Sequence, residues 1–211
     1  MGVLDPTLSQ RVTRSEQGGS ADVVWQESIL NRRQRWDCLG QEGATVWFTG
    51  LSGAGKSTTA AAVEAHLLAA GRLAYRLDGD NLRHGLCSDL SFSHADRSEN
   101  VRRVAELAAL FADAGAVALA CLISPYSADR AAARRLHKGN GLRFIEVYLS
   151  TDVEECARRD PKGLYARANC GEIDNLTGVA DPYEPPISAE LEIPAALDVQ
   201  SAARAVLAAL G

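Results

Sequence analysis

Nowhere in the 211 residues does an apolar run approach the roughly 20 consecutive residues that a membrane span needs. The opening stretch, Met1 to Ser20, is polar and lacks the apolar core of a secretory leader, so the expectation is a cytoplasmic chain with no membrane partner. Positive charge is also short: 22 Lys and Arg stand against 27 Asp and Glu, a net charge of -5, which argues against a general nucleic-acid binder. Five cysteines, Cys38, Cys87, Cys121, Cys156 and Cys170, are odd in number and scattered, with no C-x-x-C pair. That pattern excludes a zinc ribbon or thioredoxin-like site and leaves reduced thiols. His66, His84, His94 and His137 likewise lack the H-x-x-x-H spacing of a helical metal site. What the chain does have is a 46% apolar composition, enough for one packed domain. A chain of this size buries about 70% of the surface its unfolded form exposes, so it needs no metal or disulfide to fold.

Residues 1–22 mix polar residues and glycines without periodicity and read as a mobile arm, with packing expected to begin near Val23. From Gly43 onward, β-prone runs alternate with helical spacing, the signature of a mostly parallel sheet covered by helices. Strands are expected at Ala44 to Thr49, Leu73 to Leu77, Val117 to Ile123, Phe144 to Leu149 and Leu191 to Ile193. Helices are expected around Val63 and Leu67, over Val101 to Phe111, and over Val199 to Leu210. Thr151 with Glu154 gives a capping-box pattern that would open a short helix before Pro161. Residues 160–186 lose periodicity and carry several glycines and prolines, which suggests a lid or substrate loop.

Between the first strand and the first long helix lies Gly50-Leu51-Ser52-Gly53-Ala54-Gly55-Lys56-Ser57, which fits G-x-x-x-x-G-K-S in the context that motif requires. Gly50, Gly53 and Gly55 let the backbone curl so that its N–H groups, with those of Ser52, Ala54 and Thr58, face phosphate oxygens. Lys56 adds a positive charge that reaches the β and γ phosphates, and Ser57 is placed to ligate Mg2+. The reading is an α/β, P-loop NTPase-type three-layer sandwich that binds ATP or GTP. No N-K-x-D run is present to read a guanine base, which favours a kinase. At the end of the second strand, Asp78 and Asp80 stand where open α/β sheets bind ligands. Either could accept a hydroxyl proton, or form an Asx-turn that caps the next segment. Arg83 and Arg97 are candidates for bidentate contact with phosphate or sulfate oxygens. Arg102 and Arg103 read instead as a solvated helix face paired with Asp96 and Glu99.

The P-loop with its preceding Phe48-Thr49, and the run Leu77 to Leu86 (LDGDNLRHGL), resemble the adenylylsulfate kinase (APS kinase) family. The resemblance continues through Phe92-Ser93, Ala95-Asp96-Arg97 with Asn100, Ile123-Ser124-Pro125-Tyr126, Asp160 to Tyr165, and Thr177-Gly178 with Pro182-Tyr183-Glu184. It covers roughly Val24 to the C-terminus and implies transfer of the ATP γ-phosphoryl group to the 3′-hydroxyl of adenosine 5′-phosphosulfate (APS), giving PAPS, the activated sulfate donor. Carried over by position, Asp80 orients or deprotonates the ribose hydroxyl. The resemblance likewise implies that Arg83, Arg97 and Asn100 bind substrate, with Ile123 beside them, and that Phe92 stacks on the substrate adenine. Ser124 lies in the family's I-S-P element beside the phosphates and counts as a catalytic candidate with Lys56 and Asp80; a plain helix N-cap is its alternative. Arg159 and Lys162 resemble a lid over the nucleotide, with a solvated basic loop as the alternative. The resemblance further implies a homodimer and a separate ATP sulfurylase chain.

The chain also departs from the family pattern. Cys87 and Ser91 differ beside the pocket, Leu176 replaces the second aromatic of the adenine sandwich, and Asn169 and Ser127 remove positive charge. An aromatic contact is worth about 0.5–1.5 kcal/mol beyond area burial, so Leu176 implies roughly two- to tenfold weaker substrate binding. Two rival readings follow, a P-loop kinase of another small anionic nucleotide or alcohol and a nucleotide sensor without turnover.

Overall fold

The computed structural model describes residue 26 and residues 28–211; the arm expected over residues 1–22 and the start of packing at Val23 lie outside them. A five-stranded, all-parallel sheet runs through the molecule in the order β2-β3-β1-β4-β5. Its strands are β1 (Ala44–Thr49), β2 (Ala74–Asp78), β3 (Val117–Cys121), β4 (Arg143–Leu149) and β5 (Leu191–Ile193). The helices are α1 (Arg32–Leu39), α2 (Lys56–Ala69), α3 (Gly79–Leu82), α4 (His94–Ala114), α5 (Ser127–Gly139), α6 (Val153–Arg159), α7 (Leu164–Asn169) and α8 (Val199–Leu210).

Every residue of β1 is buried, because this central strand has helices over both faces and a hydrogen-bonded neighbour on each side. The period of two divides the strands between two cores. Val46, Phe48, Val117, Leu119, Ile145 and Val147 pack with Val63 and Leu67 of α2 and Ala203 and Val206 of α8. Trp47, Ala118 and Ala120 face the other way, against Val101, Val104 and Ala108 of α4 and Ala133 of α5. All five cysteines are free, and burial pushes the Cys121 thiol up, which keeps it an inert core group.

The sheet register corrects several local expectations. β2 spans Ala74–Asp78 rather than Leu73 to Leu77, since Leu73 is half exposed and the ladder with β3 begins at Ala74. β3 ends at Cys121, short of the expected Ile123. The cap of α6 is Asp152, whose carboxylate accepts from the Glu155 N–H at 2.7 Å, while Thr151 is buried and donates to the Ala54 carbonyl at 3.2 Å. α7 interrupts the stretch 160–186, and its Tyr165 is buried. α1 carries no buried residue and is fastened to α4 instead: Arg32 Nε meets Asp113 at 2.6 Å, Arg35 pairs with the same carboxylate, and Trp36 Nε1 donates to the Ala112 carbonyl at 3.2 Å.

Candidate active site

The chain leaves β1 toward β2 on one side and leaves β3 toward β4 on the other, so the loops after β1 and β3 diverge and open a crevice. The P-loop follows β1. Gly50, Gly53 and Gly55 take φ of 146°, 81° and 103°, values open to glycine and costly for other residues. Gly55 ends the loop as the N-cap of α2, leaving that helix N-terminus to face a ligand. The Lys56 ammonium folds back over the loop and donates to the Gly50 and Leu51 carbonyls at 2.8 and 2.7 Å. Burial lowers its pKa to about 8. Ser52 is buried, and its carbonyl accepts from the Tyr165 hydroxyl at 3.0 Å, so α7 anchors the loop from outside. Thr58 stands exposed in the first turn of α2.

Ser57 Oγ donates to Asp78 Oδ2 at 2.6 Å, bringing the P-loop helix to the end of β2. Asp78 also caps α3 by accepting from the Asp80 N–H at 3.1 Å. The cap role therefore falls to Asp78, and the Asp80 carboxylate is left exposed, ion-paired with Lys162. Arg159 turns elsewhere, bonding to Glu155 at 2.7 Å and to the Ala195 carbonyl at 3.3 Å. It therefore lies with α6 and the loop after β5, apart from the Asp80–Lys162 pair.

A second group of side chains gathers beyond α3. Phe92 is 53% exposed, with the Arg83 guanidinium 4.4 Å over its ring. Arg83 also donates to the Leu90 and Ser91 carbonyls at 3.0 and 2.9 Å. Arg97 is buried and forked: Nε donates to the Phe92 carbonyl at 2.9 Å, Nη1 to Thr177 Oγ1 at 2.8 Å and Nη2 to the Asn175 carbonyl at 2.6 Å. It thus joins the Phe92 loop to residues 175–177. One turn on, Asn100 is only 5% exposed and its Nδ2 has no hydrogen-bond partner among the described residues. Leu176 is 6% exposed and packs in the core cluster that holds Leu51 and Tyr165. Arg102 and Arg103 bond to Glu99 at 2.7 and 2.9 Å as expected, whereas Asp96 turns to Ser91 and Ser93.

After β3 the Ile123 carbonyl accepts from Thr49 Oγ1 at 2.8 Å and from the Gly50 N–H at 3.5 Å, which seats this loop directly against the P-loop. Ser124 is 2% exposed at φ 41° and does not cap α5; that position belongs to Tyr126. Its hydroxyl donates to Thr49 Oγ1 at 2.9 Å and accepts from Trp47 Nε1 at 3.2 Å. Thr49 Oγ1 in turn meets the Tyr183 hydroxyl at 2.9 Å. Sequence reasoning placed Thr49 and Tyr183 only within family-like motifs, and did not single out Asp78 as the Ser57 partner or Arg130, which with Thr49 and Tyr183 ties the loops together. The Ser57–Asp78, Arg130–Glu184 and Thr49–Tyr183 contacts span 21, 54 and 134 positions of chain, which no local pattern carries. A cavity of about 610 Å³ opens between Leu51, Thr151 and Tyr183, beside the P-loop but away from Asp80 and Phe92.

Residues 42–194 match the family model described as adenylylsulphate kinase. The chain is 52% identical to an adenylyl-sulfate kinase of Clostridium acetobutylicum over 174 residues, 82% of this chain and 86% of that one. It is 50% identical to adenylyl-sulfate kinase 3 of Arabidopsis thaliana, over 83% of this chain and 84% of that one. Among solved structures, the APS kinase of Mycobacterium tuberculosis in complex with AMPPNP and APS superposes with a TM-score of 0.79 at 49% identity, covering 81% of this chain and 98% of that one.

Proposed function

Since the chain belongs to the adenylylsulfate kinase family, we propose that its own residues divide the transfer of the ATP γ-phosphoryl group to the 3′-hydroxyl of APS in the following way. The P-loop amides and Lys56 hold the donor phosphates, and Asp80 accepts the proton of the attacking hydroxyl. The new bond joins that oxygen to the γ-phosphorus, and the bond to the β–γ bridging oxygen breaks to release ADP. Arg83, Arg97 and Asn100 hold the phosphosulfate and nucleotide of the acceptor, with Phe92 offering a ring face to the adenine. Ser124 and the Ile123 carbonyl back the P-loop.

Mg2+ fits the donor set at Ser57 and Asp78, a hydroxyl and a carboxylate oxygen held 2.6 Å apart. Among the described residues no three His, Cys, Asp or Glu side chains gather to hold a metal, so a cation here would draw most of its shell from phosphates and water. When bound, it would neutralise charge on the transferring phosphates. Lys162 on Asp80 is an exposed pair worth about 0–1 kcal/mol, so admitting the acceptor costs little at that contact. Arg159 and the segment after α6 would close over the nucleotide and exclude water. A homodimer, a cytoplasmic location and a separate sulfurylase chain supplying APS complete the proposal; no described helix is long and apolar enough to cross a membrane.

The observation that carries the acceptor assignment is Asn100 Nδ2, a buried donor one turn from Arg97 that has no partner among the described residues. Such a group is costly unless a ligand completes it. The test is ADP release from Mg-ATP with APS, AMP, adenosine or no acceptor, the nucleotide product being identified by mass. Turnover that depends on APS and yields a product heavier by one phosphoryl group is expected. ADP release that APS does not raise above the blank would overturn the assignment.

A further inference from the structure

Ser124 holds a left-handed φ of 41° while buried beside the P-loop, a conformation that persists only when the surroundings over-determine it. Its hydroxyl bonds account for the side chain. The backbone is fixed elsewhere, by Arg130 of α5, whose Nη1 donates to the Ser124 carbonyl at 2.7 Å. The same guanidinium donates from Nε to Glu146 of β4 at 2.9 Å and from Nη2 to the Glu184 carbonyl at 2.6 Å. Arg130 is 3% exposed; its bonds to Ser124 and Glu146 are buried and that to Glu184 partly so, a setting in which a planar fork of donors is directive. The segment it grips is sewn on twice more: the Glu184 N–H donates to the Pro125 carbonyl at 2.9 Å and the Ser127 N–H to the Glu184 carboxylate at 2.7 Å.

Those contacts lead to both sides of the site proposed above. Toward the donor, Ser124 and Ile123 touch Thr49 and Gly50, the last strand residue and the first glycine of the P-loop. Toward the acceptor, the Glu184 segment carries Asp181, which lies 3.5 Å from Arg97 and accepts from Tyr126 at 3.2 Å, while its Tyr183 returns to Thr49 on the donor side. We infer that Arg130 is a positioning residue for phosphoryl transfer: it touches neither substrate, and its fork fixes the donor-side and acceptor-side loops relative to each other. The inference rests on the kinase reading above. Transfer depends on in-line alignment, so a small relative displacement of the two loops lowers turnover more than it lowers binding.

Arg134 supplies the internal control, since it also bonds Glu146, at 3.1 Å, and Glu190, yet reaches neither Ser124 nor Glu184. Wild type with Mg-ATP and APS is measured first; absent turnover there would defeat the kinase reading and not this one. In Arg130→Lys, with folding checked by circular dichroism and thermal melting, kcat should fall at least tenfold while both KM values stay within about threefold. The share of ADP released without phosphorylated APS should rise, because a misaligned acceptor yields to water. That ratio does not depend on how much of the enzyme is folded. Arg134→Met should keep kcat and that ratio at wild-type values. Should Arg130→Lys fail to fold, Arg130→Met combined with Glu146→Met removes both charges at similar volume, a change that buried ion pairs commonly tolerate; the same loss is expected. A folded Arg130 variant with kcat within twofold of wild type, or an equal loss in Arg134→Met, would overturn the inference.

Discussion

Lys56 meets two conflicting demands. Burial favours its neutral form and lowers its pKa to about 8, whereas phosphate binding needs the charge. Bound phosphates raise the pKa again, so nucleotide binding and protonation are linked. The sign follows: below pH 8 the ammonium is already present, and above it each binding event takes up a proton. Affinity for an ATP analogue should therefore fall as pH rises from 8 to 9.5, by up to about tenfold per pH unit, with proton uptake visible by calorimetry in buffers of different ionisation enthalpy. In Lys56→Ala affinity should be weak and flat over that range and turnover lost; near wild-type kcat would remove Lys56 from the donor site. Arg97 is a different kind of residue, since its value lies in the fork. Arg97→Ala should raise the KM for APS at least tenfold and leave that for ATP within threefold, and Arg97→Lys should rescue little because a point charge cannot bridge Phe92, Asn175 and Thr177 at once. An unchanged KM for APS in Arg97→Ala would exclude it from the acceptor site.

At the scale of elements, the glycines and caps decide what the chain tolerates. A Cβ on Gly43, just before β1, would lie 2.0 Å from the Ala112 carbonyl oxygen, a backbone atom that cannot swing aside. A Cβ on Gly139, inside α5, meets nothing within 4 Å. Gly43→Ala should consequently destabilise the protein or prevent its folding, whereas Gly139→Ala should stabilise it by about 0.4–1 kcal/mol; urea unfolding of the two variants tests the contrast. The same scale marks the limit of what the sequence discloses. The strands and α2, α4 and α8 were legible because long apolar spacing reports burial directly. α5 was not, since its buried face is Arg130, Ala133 and His137. α1 has no fully buried residue, only Trp36 packed part-way against α4, and α7 is a six-residue helix pinned by Tyr165. The site followed the same division. Lys56, Ser57 and Asp80 sit in contiguous motifs, but the displacement of the cap from Thr151 to Asp152, the burial of Leu176 and the reach of Arg130 arise from packing between segments distant in sequence.

For the whole molecule, the parallel sheet brings the P-loop and the loops after β2 and β3 to one end and leaves stability to the layers behind them. His137 belongs to those layers. It is fully buried between α5 and β1, with Nδ1 2.8 Å from the Ala133 carbonyl, Nε2 2.9 Å from Thr45 Oγ1, and its ring against Phe144. The short contact to a carbonyl makes Nδ1 the protonated nitrogen and leaves Nε2 to accept from Thr45, an arrangement that suits the neutral ring. Burial accordingly lowers its pKa below the ordinary 6.5, with the Ala133 bond a smaller opposing effect. In the unfolded chain the ring takes up a proton as pH falls through 6.5, while in the folded protein it resists. The unfolded state therefore binds more protons in that window, and stability is complete above pH 6.5 and declines below it. Urea midpoints measured from pH 7.5 to 5 should fall for the wild type, and His137→Gln, which does not titrate, should begin less stable and lose less over the same interval. An equal slope in the variant would assign the acid sensitivity to other groups.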